Sequence, residues 1–258
     1  MKISLILMSR NEEKYVKNFF QSLNAQIRKP DEIILVDSSN DKTAELAKSY
    51  VDRLIKTPPR GCGDARLRGQ AVATGDIWVY TDIDAVLDKN WLKEIENMFH
   101  NPDINAVVGM VTFKGIPTKL RANVLNGCNM AFRREIMEKF KWDLIIGEDV
   151  DMGYRLVKAG IKIYPCKSAI VYHIGSLDEP KFTHIRAGRA MALLFLKYRS
   201  FDWILRISFN IFYCIIIGKV QYAYWLMKSF IFSLYDIMIK GNKTIYIWKG
   251  YEGGEKDI

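Results

Sequence analysis

Through roughly the first 110 positions, short apolar runs alternate with stretches of helical spacing. "KISLILMS" leads into a polar, amphipathic stretch from Asn11 to Ala25, and "DEIILVD" leads into "KTAELAKSY". "VDRLIKT", the helix-like "GDARLRGQAVATG" and the run "DIWVYTD" follow in turn. Runs of this length, separated by helical segments, predict an α/β fold whose mostly parallel sheet is covered on both faces. From about Ala106 the rhythm changes. "AVVGMVTF", "NGCNMAF" and "KSAIVYH" read as strands, and "EDVDMGYRLVKAG" as a helix closed by Gly160. No repeat or low-complexity linker interrupts the pattern, and composition turns basic and apolar near Pro180. The reading is therefore a sheet domain over 1–180 and a helical region over 181–258.

Composition sharpens this division. Nearly half of the 258 residues are apolar, enough for a proper core. Four cysteines, Cys62, Cys128, Cys166 and Cys214, are scattered without metal-ligand spacing and read as reduced core thiols of a cytosolic protein. The apolar run in "MKISLILMSRNEE" is short for a signal peptide and suits a first buried strand. The net charge of +9 is uneven: residues 1–180 hold 26 Lys and Arg against 24 Asp and Glu, whereas residues 181–258 hold 12 against 5.

In that last third the basic residues are interleaved with apolar runs. This points to an anionic membrane surface and not to nucleic acid. The longest uncharged run, 207–218, falls short of the about 20 residues a spanning helix needs. Amphipathic helices lying in the interface fit better, with Arg186, Arg189, Lys197, Arg199, Lys240 and Lys243 towards the headgroups. A short hairpin dipping into the bilayer is one alternative, and a helical cap or a dimer interface with a second copy of the chain is the other.

Ligands of open α/β sheets bind beyond the carboxyl ends of the strands, and three strand ends here are chemically equipped. Ser9-Arg10-Asn11 follows the first, Asp37 ends the second, and Asp82-Ile83-Asp84 ends "DIWVYTDID". Two aspartates so close repel each other, which a turn or cap tolerates and a divalent cation relieves. Their hard oxygens suit Mg²⁺ or Mn²⁺. In "LVDSSNDKTAEL", Asp37 can accept hydrogen bonds from a base or ribose, while Asn40 or Asp41 caps the next helix. Arg66 and Arg68 lie two apart on a helix and point in different directions, so one reaches a phosphate or carboxylate and the other is solvated. No P-loop pattern is present.

In "GEDVDMGYRL", Asp151 and Arg155 have the spacing of an i,i+4 ion pair. Dipole compensation at the helix start does not call for the Glu148-Asp149 pair after Gly147, which reads as a positioned general base. His173, at the end of "AIVYH", is a metal-ligand candidate.

In this order the motifs resemble those of the family-2 glycosyltransferases with a GT-A fold, over roughly residues 1–175. "SRNEE" resembles the family's opening loop, which implies that Ser9, Asn11 and Glu12 face the nucleotide. "VDSSNDKT" resembles the acidic nucleotide loop, placing Asp37 on base or ribose, and "ARLRG" resembles A-R-N-x-G, placing Arg66 on the nucleotide side. "DID" resembles the D-x-D, in which Asp84 holds the metal and Asp82 contacts ribose or the metal shell; His173 matches a late histidine of that shell. "GCNMAFRR" resembles the acceptor-side strand, and "EDVDMGYRL" resembles E-D-x-D, with Asp149 as base beside Glu148. Leu67 and Met8-Ser9-Arg10 depart from the family pattern at the nucleotide end, which leaves UDP and GDP sugars both open as donors.

The resemblance implies an inverting, metal-dependent transfer to a hydroxyl acceptor. With a membrane-bound last third, that acceptor would be a lipid-linked or membrane-proximal glycan at the cytoplasmic face. A polyprenyl-phosphate glycosyltransferase and a catalytically silent nucleotide-sugar-binding membrane subunit are the alternative readings.

Overall fold

The computed structural model describes residues 1–113, 115–175, 180–198, 202–216 and 219–239. In chain order the elements begin with β1 (Ile3–Ser9), α1 (Glu13–Asn24), β2 (Glu32–Asp37), α2 (Thr43–Ala47), β3 (Arg53–Lys56) and α3 (Cys62–Gln70). They continue with β4 (Ile77–Asp82), β5 (Ala85–Leu87), α4 (Trp91–Phe99), β6 (Ala106–Phe113), β7 (Ile116–Pro117) and β8 (Met130–Arg133). The last are α5 (Arg134–Lys139), α6 (Glu148–Lys158), β9 (Ile163–His173), α7 (Pro180–Tyr198), α8 (Asp202–Ile216) and α9 (Val220–Ile239).

The strands form one sheet in the order β3-β2-β1-β4-β8-β6-β9-β5, with β7 paired to β6. β1 pairs in parallel with β2 and β4, and β2 with β3. β8 then runs antiparallel to both β4 and β6, while β9 is parallel to β6. The parallel part is thus the first four strands, and a mixed part continues it. The apolar runs become strands because both of their faces are covered: Ile3, Leu5, Ile6 and Leu7 of β1 are all fully buried. α1 contributes Val16, Phe19, Phe20 and Leu23, an i, i+3, i+4, i+7 stripe, and α4 contributes Trp91, Leu92, Ile95 and Phe99. The helix read over 63–75 starts one residue earlier, at Cys62, and ends at Gln70, short of its pattern. Gly160 ends α6 at φ 81°, the left-handed conformation that suits glycine.

Sequence patterning did not single out β5, α4 or α5. β5 is only three residues long and is defined by pairing with β9, a partner remote in the chain. The thiol reading needs a correction. None of the four cysteines is in a disulfide and Cys166 and Cys214 are buried, but Cys62 is exposed at the start of α3. Asn40 and Asp41 do not take the N-cap position of α2, which falls to Lys42 without a side-chain cap. Asp41 instead accepts the Thr43 N–H and O–H one residue further out.

The chain divides into two compact units. The first comprises Met1–Trp142 and Glu148–Gly175; the second joins Asp143–Gly147 to the three C-terminal helices. Within the second, α7 and α9 cross closely enough that a Cβ on Gly188 would lie 2.5 Å from the Leu226 carbonyl oxygen. Ala192, Leu194, Ile207, Cys214, Ala223 and Leu226 are buried. Lys197 reaches Asp143 at 2.5 Å. The opposite faces of α8 and α9 are apolar and open to solvent: Leu205, Phe209, Phe212 and Ile216 on one, Val220, Tyr224, Met227 and Ile231 on the other. Among the described residues no helix is long and apolar enough to cross a membrane. Arg199, Lys240 and Lys243, and the side chain of Arg186, lie outside the described residues.

The mixed part of the sheet is pinned by Asn129, which is fully buried. Its amide donates to the carbonyl oxygens of Met110 and Ala169, both at 2.9 Å, and its oxygen accepts the Trp91 indole N–H at 2.9 Å. Replacement by alanine removes the partner of three polar groups, those of Trp91 and Ala169 in buried hydrogen bonds and that of Met110 in a part-buried one. Asn129→Ala is expected to lower stability by about 2–4 kcal/mol, read as a lower urea midpoint with an unchanged m-value.

Candidate functional site

The loops after β1 and β2 are stitched together by their own polar side chains. Asp37, 1% exposed, accepts hydrogen bonds at Oδ1 from the hydroxyls of Ser9 and Ser39, each at 2.6 Å. Asn11 sits at φ 55°, a left-handed conformation that asparagine tolerates. Its N–H donates to Ser39 Oγ at 2.8 Å, and its side-chain oxygen accepts the Asn40 N–H at 2.9 Å. The Glu12 N–H donates to Thr43 Oγ1 at 2.8 Å, which fixes where the Glu12 side chain leaves the chain. Ser9, Asn11 and Asp37 are therefore brought together, as parallel pairing of β1 with β2 dictates.

Glu12, Asp82 and Asp84 converge electrostatically beside that loop pair. Glu12 is pushed up to about 9, first by burial and then by the charges of Asp84, Asp82, Asp37 and Asp41. Asp84 is pushed up to about 6 by burial and by Asp82, with His173 acting in the opposite direction. Glu12 Oε2, Asp82 Oδ1 and Asp84 Oδ1 are buried atoms without a hydrogen-bond partner. His173 Nε2 lies 3.2 Å from Asp84 Oδ2, its Nδ1 is buried without a partner, and its ring rests on Phe113 with centroids 4.7 Å apart. Antiparallel pairing of β5 with β9, which sets Ala85 opposite His173, brings these two together.

Gly175 completes the corner. Its N–H and that of Ile174 donate to the Asp84 carbonyl oxygen at 3.0 and 2.9 Å. A Cβ on Gly175 would fall 2.0 Å from Asp84 Oδ2 and 2.8 Å from His173 Cε1. Cys128 is the member that sequence reasoning filed as a core thiol. It borders the aspartates, and burial together with the charge of Asp82 and a hydrogen bond to it pushes its thiol up. The fragment "GCN" was visible as part of a strand motif, but nothing local tied it to Asp82.

These hard oxygens and one imidazole have the donor chemistry of a divalent-cation site, and their orphaned atoms and mutual repulsion are what a cation relieves. Among the described residues, no group of three or more His, Cys, Asp and Glu side chains is already arranged to hold a metal ion.

A second cluster lies at the start of α6. Glu148 is buried and receives a hydrogen bond from Arg66 Nη1. Arg66, 2% exposed, also donates from Nη2 to the Gly127 carbonyl oxygen at 3.1 Å, and its guanidinium lies 5.4 Å from the Trp142 ring. Half-buried Asp149 accepts the Gly127 N–H at Oδ2, 3.1 Å away, and the Val150 N–H at Oδ1, 2.8 Å away. Arg68 turns the other way and pairs with Asp64 at 2.7 Å, and Asp151 pairs with Arg155 at 2.9 Å. Sequence spacing anticipated the divergence of the two arginines and the Asp151–Arg155 pair. It could not show that the carboxylate Arg66 reaches is Glu148, or that Gly127 and Trp142 belong to the cluster.

Residues 4–156 match the family model described as Glycosyl transferase family 2. A curated relative, the O-antigen chain rhamnosyltransferase WbaN of Salmonella anatum, is 27% identical over 193 residues. That match covers 60% of this chain and 60% of the relative, so the chain spans about three fifths of the relative's length. Among solved structures, the mannosyltransferase PcManGT from Pyrobaculum calidifontis, in complex with GDP-Man and Mn²⁺, superposes with a TM-score of 0.69 at 15% identity, covering 91% of this chain and 87% of that one. Residues 1–349 of S. aureus TarS, in complex with UDP, give 0.57 at 19% identity, covering 75% and 65%. These structural likenesses establish the fold, GT-A.

The raised Glu12 and Asp84 groups give a pH signature. Each binds its proton more tightly folded than unfolded, so its stabilising contribution is full below the unfolded value and is lost as pH rises through the folded one. Without added metal, thermal stability is expected to fall as pH rises between about 4.5 and 9, as Glu12 dictates. Glu12→Gln should flatten the decline, as followed by scanning calorimetry from pH 5 to 8.5.

Proposed function

The chain belongs to glycosyl transferase family 2, and we propose that it is an inverting glycosyltransferase that moves a sugar from a nucleoside-diphosphate donor to a hydroxyl acceptor. The observation that carries this reading is the pair of carboxylate sites: half-buried, mutually repelling Glu12, Asp82 and Asp84 at the strand ends, each with one buried oxygen left without a partner, and half-buried Asp149 at the start of α6. The first suits a cation and the diphosphate it accompanies; the second suits a base. The stitched β1 and β2 loops, with Ser9, Asn11 and Asp37, receive the nucleoside. The bound nucleotides of the two structural neighbours, a GDP sugar and UDP, support that donor class without choosing the base.

Asp84, with Asp82 and His173, would hold a divalent cation, Mn²⁺ or Mg²⁺, and this would neutralise charge on the departing nucleoside diphosphate. Asp149 takes the proton of the acceptor hydroxyl as that oxygen forms its bond to the anomeric carbon. The bond from that carbon to the diphosphate oxygen breaks on the opposite face, its electron pair leaving with the diphosphate. A single displacement inverts the anomeric configuration, and no glycosyl-enzyme bond is formed. Gly127 N–H and Val150 N–H fix both carboxylate oxygens of Asp149, which orients the base before the acceptor arrives. A hydroxyl acceptor needs such a base, whereas a lipid phosphate is already anionic. The O-antigen relative supports a glycan acceptor.

The acceptor would be lipid-linked or membrane-proximal. The exposed apolar faces of α8 and α9, edged by exposed Arg206, Lys219 and Lys228, have the character of helices lying in an anionic interface. The enzyme would then work peripherally, at the cytoplasmic face.

Titration calorimetry of UDP, GDP and their sugar conjugates, with Mn²⁺ and with chelator, tests the donor site. One nucleotide should bind in a metal-dependent manner, and Asp84→Asn should abolish that binding. Asp149→Asn should keep it while losing about 10²–10⁴-fold in transfer; full transfer by this variant removes the base assignment. Separately, the protein should pellet with vesicles containing phosphatidylglycerol and stay in solution with neutral ones. Serine at Phe209, Phe212 and Ile231 together should release it.

A further inference from the structure

We infer that Arg66 is the positioning residue for the base, not a contact to the donor. The inference rests on the reading of Asp149 as base and adds how that base is held. Three observations carry it. Both terminal nitrogens of Arg66 are already engaged: Nη1 with the Glu148 carboxylate and Nη2 with the Gly127 carbonyl oxygen. Arg66 is 2% exposed and its guanidinium faces the Trp142 ring, so it is closed off from the solvent through which a diphosphate would arrive. The peptide units around Gly127 face both ways: the Gly127 carbonyl oxygen accepts from Arg66, while its N–H donates to Asp149.

Arg66 thus clamps Asp149 twice. It holds the neighbouring residue, Glu148, through a buried charge pair, and it holds the donor of the Asp149 hydrogen bond through Gly127. A planar fork with two separated donors suits this task, and a lysine ammonium reproduces only one arm of it. The same geometry makes Gly127 a sensitive point of the clamp: a Cβ there would lie 2.6 Å from Arg66 Nη2, which would have to shift, and 3.5 Å from Asp149 Oδ2. Because Arg66 lies on α3 and its partners precede β8 and open α6, the clamp ties the part of the sheet domain assigned to the donor to the part that carries the base.

The test uses Arg66→Lys and Gly127→Ala in the full chain, checked for folding by circular dichroism, with nucleotide binding measured by calorimetry and transfer by steady-state kinetics. Both variants should bind the nucleotide within about twofold of the parent while kcat falls about 100-fold, the scale of a 1 Å misplacement of a reacting group. Arg66→Lys should retain more rate than Arg66→Met. Arg66→Lys combined with Asp149→Asn should be no slower than Asp149→Asn alone, since residues acting as a unit are not additive. Nucleotide affinity reduced about tenfold or more in Arg66→Lys with kcat preserved would make Arg66 a donor contact and overturn the inference; so would multiplying losses in the double variant. The two readings fail separately. Full transfer by Asp149→Asn removes the base itself, whereas an inactive Asp149→Asn beside full-rate Arg66→Lys and Gly127→Ala removes only the clamp.

Discussion

Carboxyl groups confined together at the ends of parallel strands repel one another, and burial deepens the penalty because it strips away the water that would screen them. In this protein Glu12, Asp82 and Asp84 meet under that constraint, with buried oxygens that no protein donor satisfies. Such an arrangement is costly in an unliganded fold. The surrounding structure bears the cost: the Asp84 backbone is fixed by the N–H groups of Ile174 and Gly175, its carboxylate by His173, and the β1 and β2 loops by the Asn11, Ser39 and Asp37 hydrogen bonds. The packed strands behind these groups, apolar along most of their length and tied at their far end by the buried Ser4–Glu32 hydrogen bond, keep them from relaxing apart.

The sheet divides the chemical labour. Its parallel part sets three strand ends side by side, the arrangement in which an α/β sheet offers its ligand crevice. Its mixed part brings two further pieces: β9 delivers His173 to Asp84 through β5, and the segment before β8 delivers Gly127 to Asp149. Arg66 and Asn129 join elements that no local signal would pair: Arg66 through both terminal nitrogens, its Nε left buried without a partner, and Asn129 through both amide hydrogens and its side-chain oxygen. Buried polar groups of this kind contribute modestly to net stability but heavily to a single arrangement, because every alternative leaves one of them unpaired.

The helical unit obeys different rules. Small residues, with Gly188 against the Leu226 carbonyl oxygen, let α7 and α9 approach, and one stripe of each of α8 and α9 is buried. Much of what remains outside is apolar and aromatic, with Leu205, Phe209 and Phe212 of α8 and Tyr224, Ile231 and Phe232 of α9 exposed. The basic excess of residues 181–258 lies mostly outside these two helices: between 202 and 239 the chain has Arg206, Lys219 and Lys228 against Asp202 and Asp236.

The sequence by itself determined most of the elements, though not β5, α4 or α5, together with the order of the motifs and the family they belong to. Strand and helix periodicities are local, and so are the i,i+4 pairing of Asp151 with Arg155 and the divergence of Arg66 from Arg68. The resemblance carried by "DID" and "EDVDMGYRL" needed no coordinates. Three-residue β5 and the antiparallel insertion of β8 were not legible, because their existence depends on partners far along the chain. The same holds for the site. That Cys128 borders Asp82, that Gly175 must lack a side chain beside Asp84, and that Arg66 spends its charge on Glu148, 82 residues away, are facts of tertiary approach. Residue type states what a side chain can bind; only the fold decides which partner arrives first, and in a closed interior the first partner is the one it keeps.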